Sequence, residues 1–378
     1  MPPVVIDVHL AEDLRDVVHR AVQALTEGHL VAFPTETVYG VAASALDPRA
    51  VAKLIEAKGR QAGHPLPLAI KSADEAWDYA PDMSPLAERL ARRCWPGPVT
   101  LVVDDSHPES LVRRFAAEVQ QAVSPQQTIG LRVPGHQLIL DVLRMLAGPL
   151  VLSSANLTGQ PEALTAADAV KAIGDQVELV LDDGPCRFGQ PSSVVRVDGD
   201  QYEVLRGGVV PEKTLQRLSN IMILLVCTGN TCRSPMAEVL CREMLAERLN
   251  CTIDQLSEDH PNRRGVIVMS AGIAAMMGGK ASGTACQAMG DVGLDLGDHE
   301  SQPLTETLVR HADVIYTMTR SHREAIVAQW PNAARRTHLL CSDGSDVSDP
   351  IGGSLEVYQQ CAAQIRKELA TRLDEMGF

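Results

Sequence analysis

The chain has 378 residues and a formal net charge of −14, long enough for two or more cores and too acidic for a protein that coats nucleic acid. Its nine cysteines, an odd number without paired spacing, read as reduced thiols rather than a disulfide framework. No apolar run reaches the ~20 residues of a membrane span, and the first residues lack a basic and apolar leader, so a soluble, cytoplasmic protein with no membrane partner is expected.

In chain order, VVIDV (Val4 to Val8) alternates as a strand and residues 11–26 follow with amphipathic helical spacing. GHLVAFPTETVYGVAA then predicts a strand entering a loop of small and hydroxyl residues around Thr35, Glu36 and Thr37. A helix is expected from about Pro48 to Ala57, ending on the basic pair Lys58 and Arg60. LVLSSANLTG reads as a strand and a polar turn holding Ser154 and Asn156. PSSVVRV, with Ser192, and YEVLRGG, with Arg206, are later strand-like runs. Strands outnumber helices and alternate with them irregularly, which predicts an α/β domain with a twisted, mixed sheet. TIGLRVP adds Thr128 and Arg132 to the polar clusters. Basic residues suit a triphosphate or a carboxylate, and hydroxyls and amides suit a nucleotide, so these residues by themselves indicate a polyanion pocket.

PTETVYG, K-x-R, WPGPVT (Trp95 to Thr100), S-A-N and the S-x-V-V run together resemble the YrdC-like family of threonylcarbamoyl-AMP synthases over roughly residues 10–210. The resemblance implies condensation of L-threonine, bicarbonate and ATP to threonylcarbamoyl-adenylate, with release of pyrophosphate. The product would serve the modification of a tRNA adenosine beside the anticodon. By position, Lys58, Arg60, Thr128, Ser154, Asn156 and Arg206 would bind the nucleotide, with Mg²⁺ on its phosphates as cofactor. Thr37, Arg132 and Ser192 would hold threonine, Arg132 on its carboxylate. Gln61 stands where the family has proline, and Ala69 where long-form members have a histidine. A domain that binds nucleotide or RNA without the synthase reaction is the alternative.

Residues 207–220, GGVVPEKTLQRLSN, show no apolar strand and predict a helical turn and a short linker. The expected division is 1–210 for the first domain, 211–220 for the linker and 221–378 for a second domain.

That second domain begins with IMILLVCTGNTCRSP, Ile221 to Pro235. An unbroken apolar run entering Cys227 suits a strand buried on both faces of a parallel sheet. MAEVLCREMLAERL continues at helical spacing, with Ser234 placed to cap and Pro235 at the first helical position. A loop wrapped over a helix N-terminus binds anions and lowers the pKa of a cysteine held there. Arg233 supplies a fork for two phosphate oxygens, and Gly229 and Asn230 tolerate the positive φ such a loop needs.

CTGNTCRSPMAE resembles the phosphate loop of low-molecular-weight protein phosphatases, and DVSDPIGGS supplies that family's late aspartate at Asp349, before Pro350. The resemblance implies Cys227 as nucleophile, Arg233 as transition-state clamp and Asp349 as general acid and then base. Thr228, Gly229, Asn230, Thr231, Cys232 and Ser234 complete the loop, Ser234 bonding the thiolate. No cofactor or metal is implied for this half, and the substrates would be phosphorylated proteins. A four-stranded parallel sheet with helices on both faces is expected, its loop at the C-terminal end of the first strand.

Thr231 occupies a position where tyrosine-directed members carry an aliphatic residue and the branch resembling protein-arginine phosphatases carries threonine. SAGIAAMMGGKAS and SQPLTETLVRHADVIYTMTRSH resemble that branch too, and Met276 and Met277 are expected on the pocket wall. Phosphoarginine is therefore the expected substrate, with phosphotyrosine the alternative. Cys232 reads either as a disulfide partner for Cys227 or as a passive neighbour. His299, His311, His322 and His338 lack metal-ligand spacing and are expected to cap helices or face solvent.

Overall fold

The computed structural model describes residues 2–59, 65–256 and 265–378, so Arg60, Gln61 and most of the charged SEDHPNRRG segment lie outside the described residues. The chain divides into two units, Met1–Leu218 and Ser219–Phe378. The segment expected as a linker is a helix, Glu212–Ser219, with Leu215 fully buried in the first unit's core.

The first unit is a ten-stranded mixed sheet. Its strands are β1 (Val4–Asp7), β2 (Val31–Phe33), β3 (Gly40–Ser44), β4 (Leu68–Ala69), β5 (Val99–Asp104), β6 (Thr128–Arg132), β7 (Leu150–Ser154), β8 (Leu179–Asp182), β9 (Ser193–Asp198) and β10 (Gln201–Arg206), arranged β1-β8-β2-β3-β7-β4-β6-β5-β9-β10. The pairs β1·β8, β8·β2, β4·β6 and β5·β9 are parallel and the rest antiparallel. Central strands such as β2 and β3 are buried along their length, which is why they read as continuous apolar runs rather than alternating ones. The helix Pro48–Ala57 is capped by Asp47, whose carboxylate accepts from the Arg49 and Ala50 amides, and Pro48 sits at its first turn as expected.

The second unit is a four-stranded parallel sheet of β11 (Ile221–Cys227), β12 (Val266–Gly272), β13 (Val314–Thr317) and β14 (Thr337–Leu339), in the order β12-β11-β13-β14. Apolar residues of β11 alternate between two cores: Ile223 and Leu225 face one, Leu224 and Val226 the other. The sheet is therefore covered on both faces. β11 lies between β12 and β13, so the chain leaves it at the point where strand order reverses, the place where open parallel sheets bind ligands.

Candidate active sites

In the second unit the chain passes from β11 through residues 228–232 into the helix Arg233–Arg248. The helix starts at Arg233, so Ser234 does not cap it and Pro235 is its third residue. Pro235 still falls in the first turn, where its missing N–H costs no helical bond. The N-cap position, Cys232, makes no side-chain cap bond. An uncapped helix start keeps first-turn donors available for an anion.

Of the two residues suited to positive φ, only Asn230 uses it, at +53°. That turn brings the Asn230 amide to 3.3 Å from Cys227 Sγ, donating to it. Ser234 Oγ lies 2.9 Å from the same sulfur. Asn230 Nδ2 donates to Ser234 Oγ at 2.9 Å and to Ser270 Oγ at 2.8 Å, and Ser270 Oγ donates to Glu238 Oε2 at 2.6 Å. Ser234 Oγ accepts from Asn230, and its own proton has two acceptors within reach, the Cys227 sulfur and, at 3.4 Å, the Ala271 carbonyl. The Asn230 carbonyl accepts from His299 Nε2 at 2.8 Å, and its Oδ1 accepts from the Gln302 amide at 2.9 Å.

Gly272 closes the loop from behind. A Cβ there would come within 2.6 Å of the Thr228 carbonyl and 2.9 Å of the Asn230 amide, so only glycine admits the loop this close. Arg233, 5 % exposed, donates through Nη2 to Asp349 Oδ2 at 2.5 Å. Asp346 is engaged elsewhere, accepting from the Arg320 amide at 2.8 Å. Cys232 Sγ contacts Ser282 Oγ and Tyr358 Oη, each at 3.4 Å, and all nine cysteines are free thiols. Burial pushes the thiols of Cys241 and Cys361 up to about 12, so neither competes as a thiolate. Thr231 is half-buried, its hydroxyl 3.7 Å from Cys232 Sγ, and Met276 and Met277 are exposed.

Two histidines depart from expectation. His299 holds the phosphate loop's carbonyl, as above. His322 neither caps a helix with its side chain nor faces solvent: it is 7 % exposed, with Nε2 2.9 Å from Thr228 Oγ1. Burial, with the Arg233 charge second, holds its imidazole below the ordinary value.

In the first unit a cleft of about 990 Å³ opens over the middle of the sheet. Thr37, Lys58, Thr128, Arg132, Ser154, Asn156, Ser192 and Arg206 all line it; Arg60 lies outside the described residues. The Lys58 ammonium donates to the Ser154 carbonyl at 2.6 Å, to Asn156 Oδ1 at 3.2 Å and to the Asn156 carbonyl. Arg206 Nη2 donates to the Ser192 carbonyl at 2.8 Å, and Ser192 Oγ lies 3.1 Å from Thr100 Oγ1.

Arg132 has a partner the sequence did not reveal. Its Nη2 donates to Glu36 Oε1 at 2.7 Å and to Thr37 Oγ1 at 2.9 Å, while Glu36 Oε2 accepts from the Gly135 amide at 2.8 Å. Thr100, the last residue of WPGPVT, also lines the cleft, as does Glu162, which carried no motif. Ala69 is fully buried within β4 and forms part of the cleft wall.

Residues 23–208 match the family model of the Sua5, YciO and YrdC proteins, described as telomere recombination, and residues 222–377 match that of low molecular weight phosphotyrosine protein phosphatase. The chain is 35 % identical to threonylcarbamoyl-AMP synthase of Pyrococcus abyssi over 194 residues, 51 % of this chain and 54 % of that protein. It is 30 % identical to the mouse (Mus musculus) threonylcarbamoyl-AMP synthase over 224 residues, 57 % of this chain and 75 % of that one. A crystal structure of a YwlE mutant from Bacillus subtilis is 33 % identical, with 42 % of this chain covering 100 % of that one at a TM-score of 0.36. The chain spans about half the length of the first curated relatives it matches.

Proposed function

The chain belongs to the threonylcarbamoyl-AMP synthase family through its first domain and carries a low-molecular-weight phosphatase domain after it, and from that premise we propose a bifunctional cytoplasmic enzyme. The first site would make threonylcarbamoyl-adenylate from L-threonine, bicarbonate and ATP for the modification of a tRNA adenosine. The second would remove phosphate from protein side chains through Cys227.

The observation that carries the second reading is the grouping around one sulfur: Ser234 Oγ at 2.9 Å, the Asn230 amide at 3.3 Å, and an Arg233–Asp349 pair on the same loop and its neighbour. The Cys227 thiolate attacks phosphorus while Arg233 binds two of the phosphoryl oxygens, and the bond to the leaving group breaks as Asp349 gives it a proton. Asp349, now ionised, takes a proton from the water that attacks the cysteinyl-phosphate. Inorganic phosphate leaves, and Ser234 donates to the returning thiolate.

Thr231 supports phosphoarginine as the substrate. A hydroxyl can accept a hydrogen bond from a guanidinium, which an aliphatic side chain at that position cannot do. The P–N bond would break with the guanidine nitrogen taking the proton from Asp349.

In the first site, eight of the nine candidate residues on one cleft support the synthase reading. The work is positioning and charge neutralisation: threonine's amine attacks the bicarbonate carbon and water leaves, giving a carbamate, whose oxygen attacks the α-phosphorus as pyrophosphate leaves. Lys58, Thr128, Ser154, Asn156 and Arg206 would hold the nucleotide. Arg132 would share its guanidinium between Glu36 and the threonine carboxylate, beside Thr37 and Ser192. Among the described residues no group of three or more His, Cys, Asp or Glu side chains could hold a metal by itself. A magnesium ion carried on the triphosphate needs only one or two protein oxygens, and Glu162 on the cleft wall fits that need. It would neutralise phosphate charge.

The test is the full chain and Cys227→Ser in two assays. The variant loses all dephosphorylation and keeps pyrophosphate release from ATP, threonine and bicarbonate at the wild-type rate. A wild-type chain that binds ATP but releases no pyrophosphate makes the first domain a nucleotide- or RNA-binding module instead, the reading that Ala69 favours.

A further inference from the structure

We propose that His322 is a positioning residue of the phosphate loop, holding Thr228 through a neutral imidazole so that the nucleophile loop and the acid loop keep a common register. The inference rests on the phosphatase reading of Cys227 and adds a residue to it.

His322 is the third residue of the helix Arg320–Gln329, whose N-cap Thr319 accepts from the His322 amide at 3.3 Å. Its ring reaches back across the sheet edge to Thr228 Oγ1 at 2.9 Å, the side chain next to the nucleophile. The Thr228 carbonyl is held from the other side by the Ala274 amide at 2.9 Å. The same helical turn also grips the acid loop. The Arg320 amide donates to Asp346 Oδ1 at 2.8 Å, and the Val347 amide donates to the Met318 carbonyl at 2.8 Å. Asp349 follows two residues later. One helix start thus ties the loop that carries the sulfur to the loop that carries the acid.

The charge state follows from the ring's other nitrogen. Nδ1 is buried and has no hydrogen-bond partner among the described residues. A proton there would bury an N–H without an acceptor, which is costly, so the proton belongs on Nε2 and is donated to Thr228. Three charged groups face the ring from neighbouring elements: Arg233 opposes a second cation, and Asp346 and Asp349 favour one. On its own helix, Arg320 and Arg323 direct their guanidinium groups to the Gly344 and Thr337 carbonyls. Burial and Arg233 outweigh the two carboxylates, and the ring stays neutral.

The experiment uses the full chain with para-nitrophenyl phosphate as substrate and inorganic phosphate as competitive inhibitor. His322→Leu should lose about tenfold or more in kcat/KM, the worth of one well-made hydrogen bond, with weaker inhibition by phosphate. His322→Gln, whose amide can donate to Thr228, should recover most of that loss. The wild-type kcat/KM should fall on an acid limb below the ordinary imidazole value, and that limb should be missing in His322→Gln. Equal losses in both variants, or an unchanged limb in His322→Gln, would overturn the proposal. If His322→Leu does not fold, Thr228→Val removes the same bond from the other side, and wild-type kinetics in that variant overturn it equally. A wild-type chain no more active than Cys227→Ser instead overturns the phosphatase reading beneath it.

Discussion

Arg233 and Asp349 are hydrogen-bonded to each other at 2.5 Å, so the group that would clamp the phosphoryl oxygens also holds the group that would protonate the leaving atom. On the proposed mechanism an arriving phosphoryl group would compete with Asp349 for the guanidinium and free its carboxyl for the leaving atom.

Asp349→Asn should therefore separate chemistry from binding. It removes the proton donor, which typically carries 10²–10⁴-fold in rate, so kcat falls by about that range. It also removes a rival anion from Arg233, so inhibition by inorganic phosphate is unchanged or tighter. Weaker phosphate inhibition alongside the lost rate would contradict this division of roles.

Thr231→Ile should change the choice of substrate. Losing one hydrogen bond to a guanidinium leaving group predicts about a tenfold drop in the ratio of phosphoarginine to phosphotyrosine turnover. Competition between the two phosphorylated peptides measures it directly. A wild type that prefers phosphotyrosine, or a ratio the substitution leaves alone, removes phosphoarginine as the substrate.

Glu36→Ala should destabilise the first domain. The Glu36 and Arg132 side chains are 8 % and 9 % exposed, so truncation leaves a buried guanidinium with only the neutral Thr37 and Gly97 oxygens and no counter-charge, and the Gly135 amide without its acceptor. Breaking a buried pair from one side costs about 3–5 kcal/mol. Urea unfolding of the full chain, followed through Trp77 and Trp95 fluorescence, reads the loss; a change under ~1 kcal/mol would mean the pair is readily solvated.

Acid should weaken the second domain through His322. His322, 7 % exposed, is held below the ordinary imidazole value of 6.5, chiefly by burial, so the unfolded chain takes up its proton first. Stability from this group is complete above about pH 6.5 and is lost as pH falls below it. His322→Gln should flatten the fall in urea midpoint between pH 7.5 and 5.5 without moving the neutral value by a comparable amount. A midpoint independent of pH across that interval would contradict it.

The sequence was most informative where the needed contacts are local. The apolar run of β11, the Asn230 turn and the helix that follows are set by residues within a few positions of one another, as is the Asp47 cap with Pro48 behind it. Even here one detail failed. Ser234 is a common capping residue, but its hydroxyl serves Cys227 and Asn230, and the helix begins at Arg233, two residues before the expected Pro235, on an uncapped turn.

By itself, then, the amino-acid sequence determined the two domains' classes, the phosphate loop and eight of the polar side chains that meet on the first cleft. Only the tertiary structure decided that Arg132 is already bound to Glu36, 96 positions away, and that His322 supports Thr228 across 94. Motifs record residues whose backbone geometry is short-range. A buried ion pair or a supporting imidazole is created when distant segments pack and exclude water, and nothing in the local spacing of either residue carries that information.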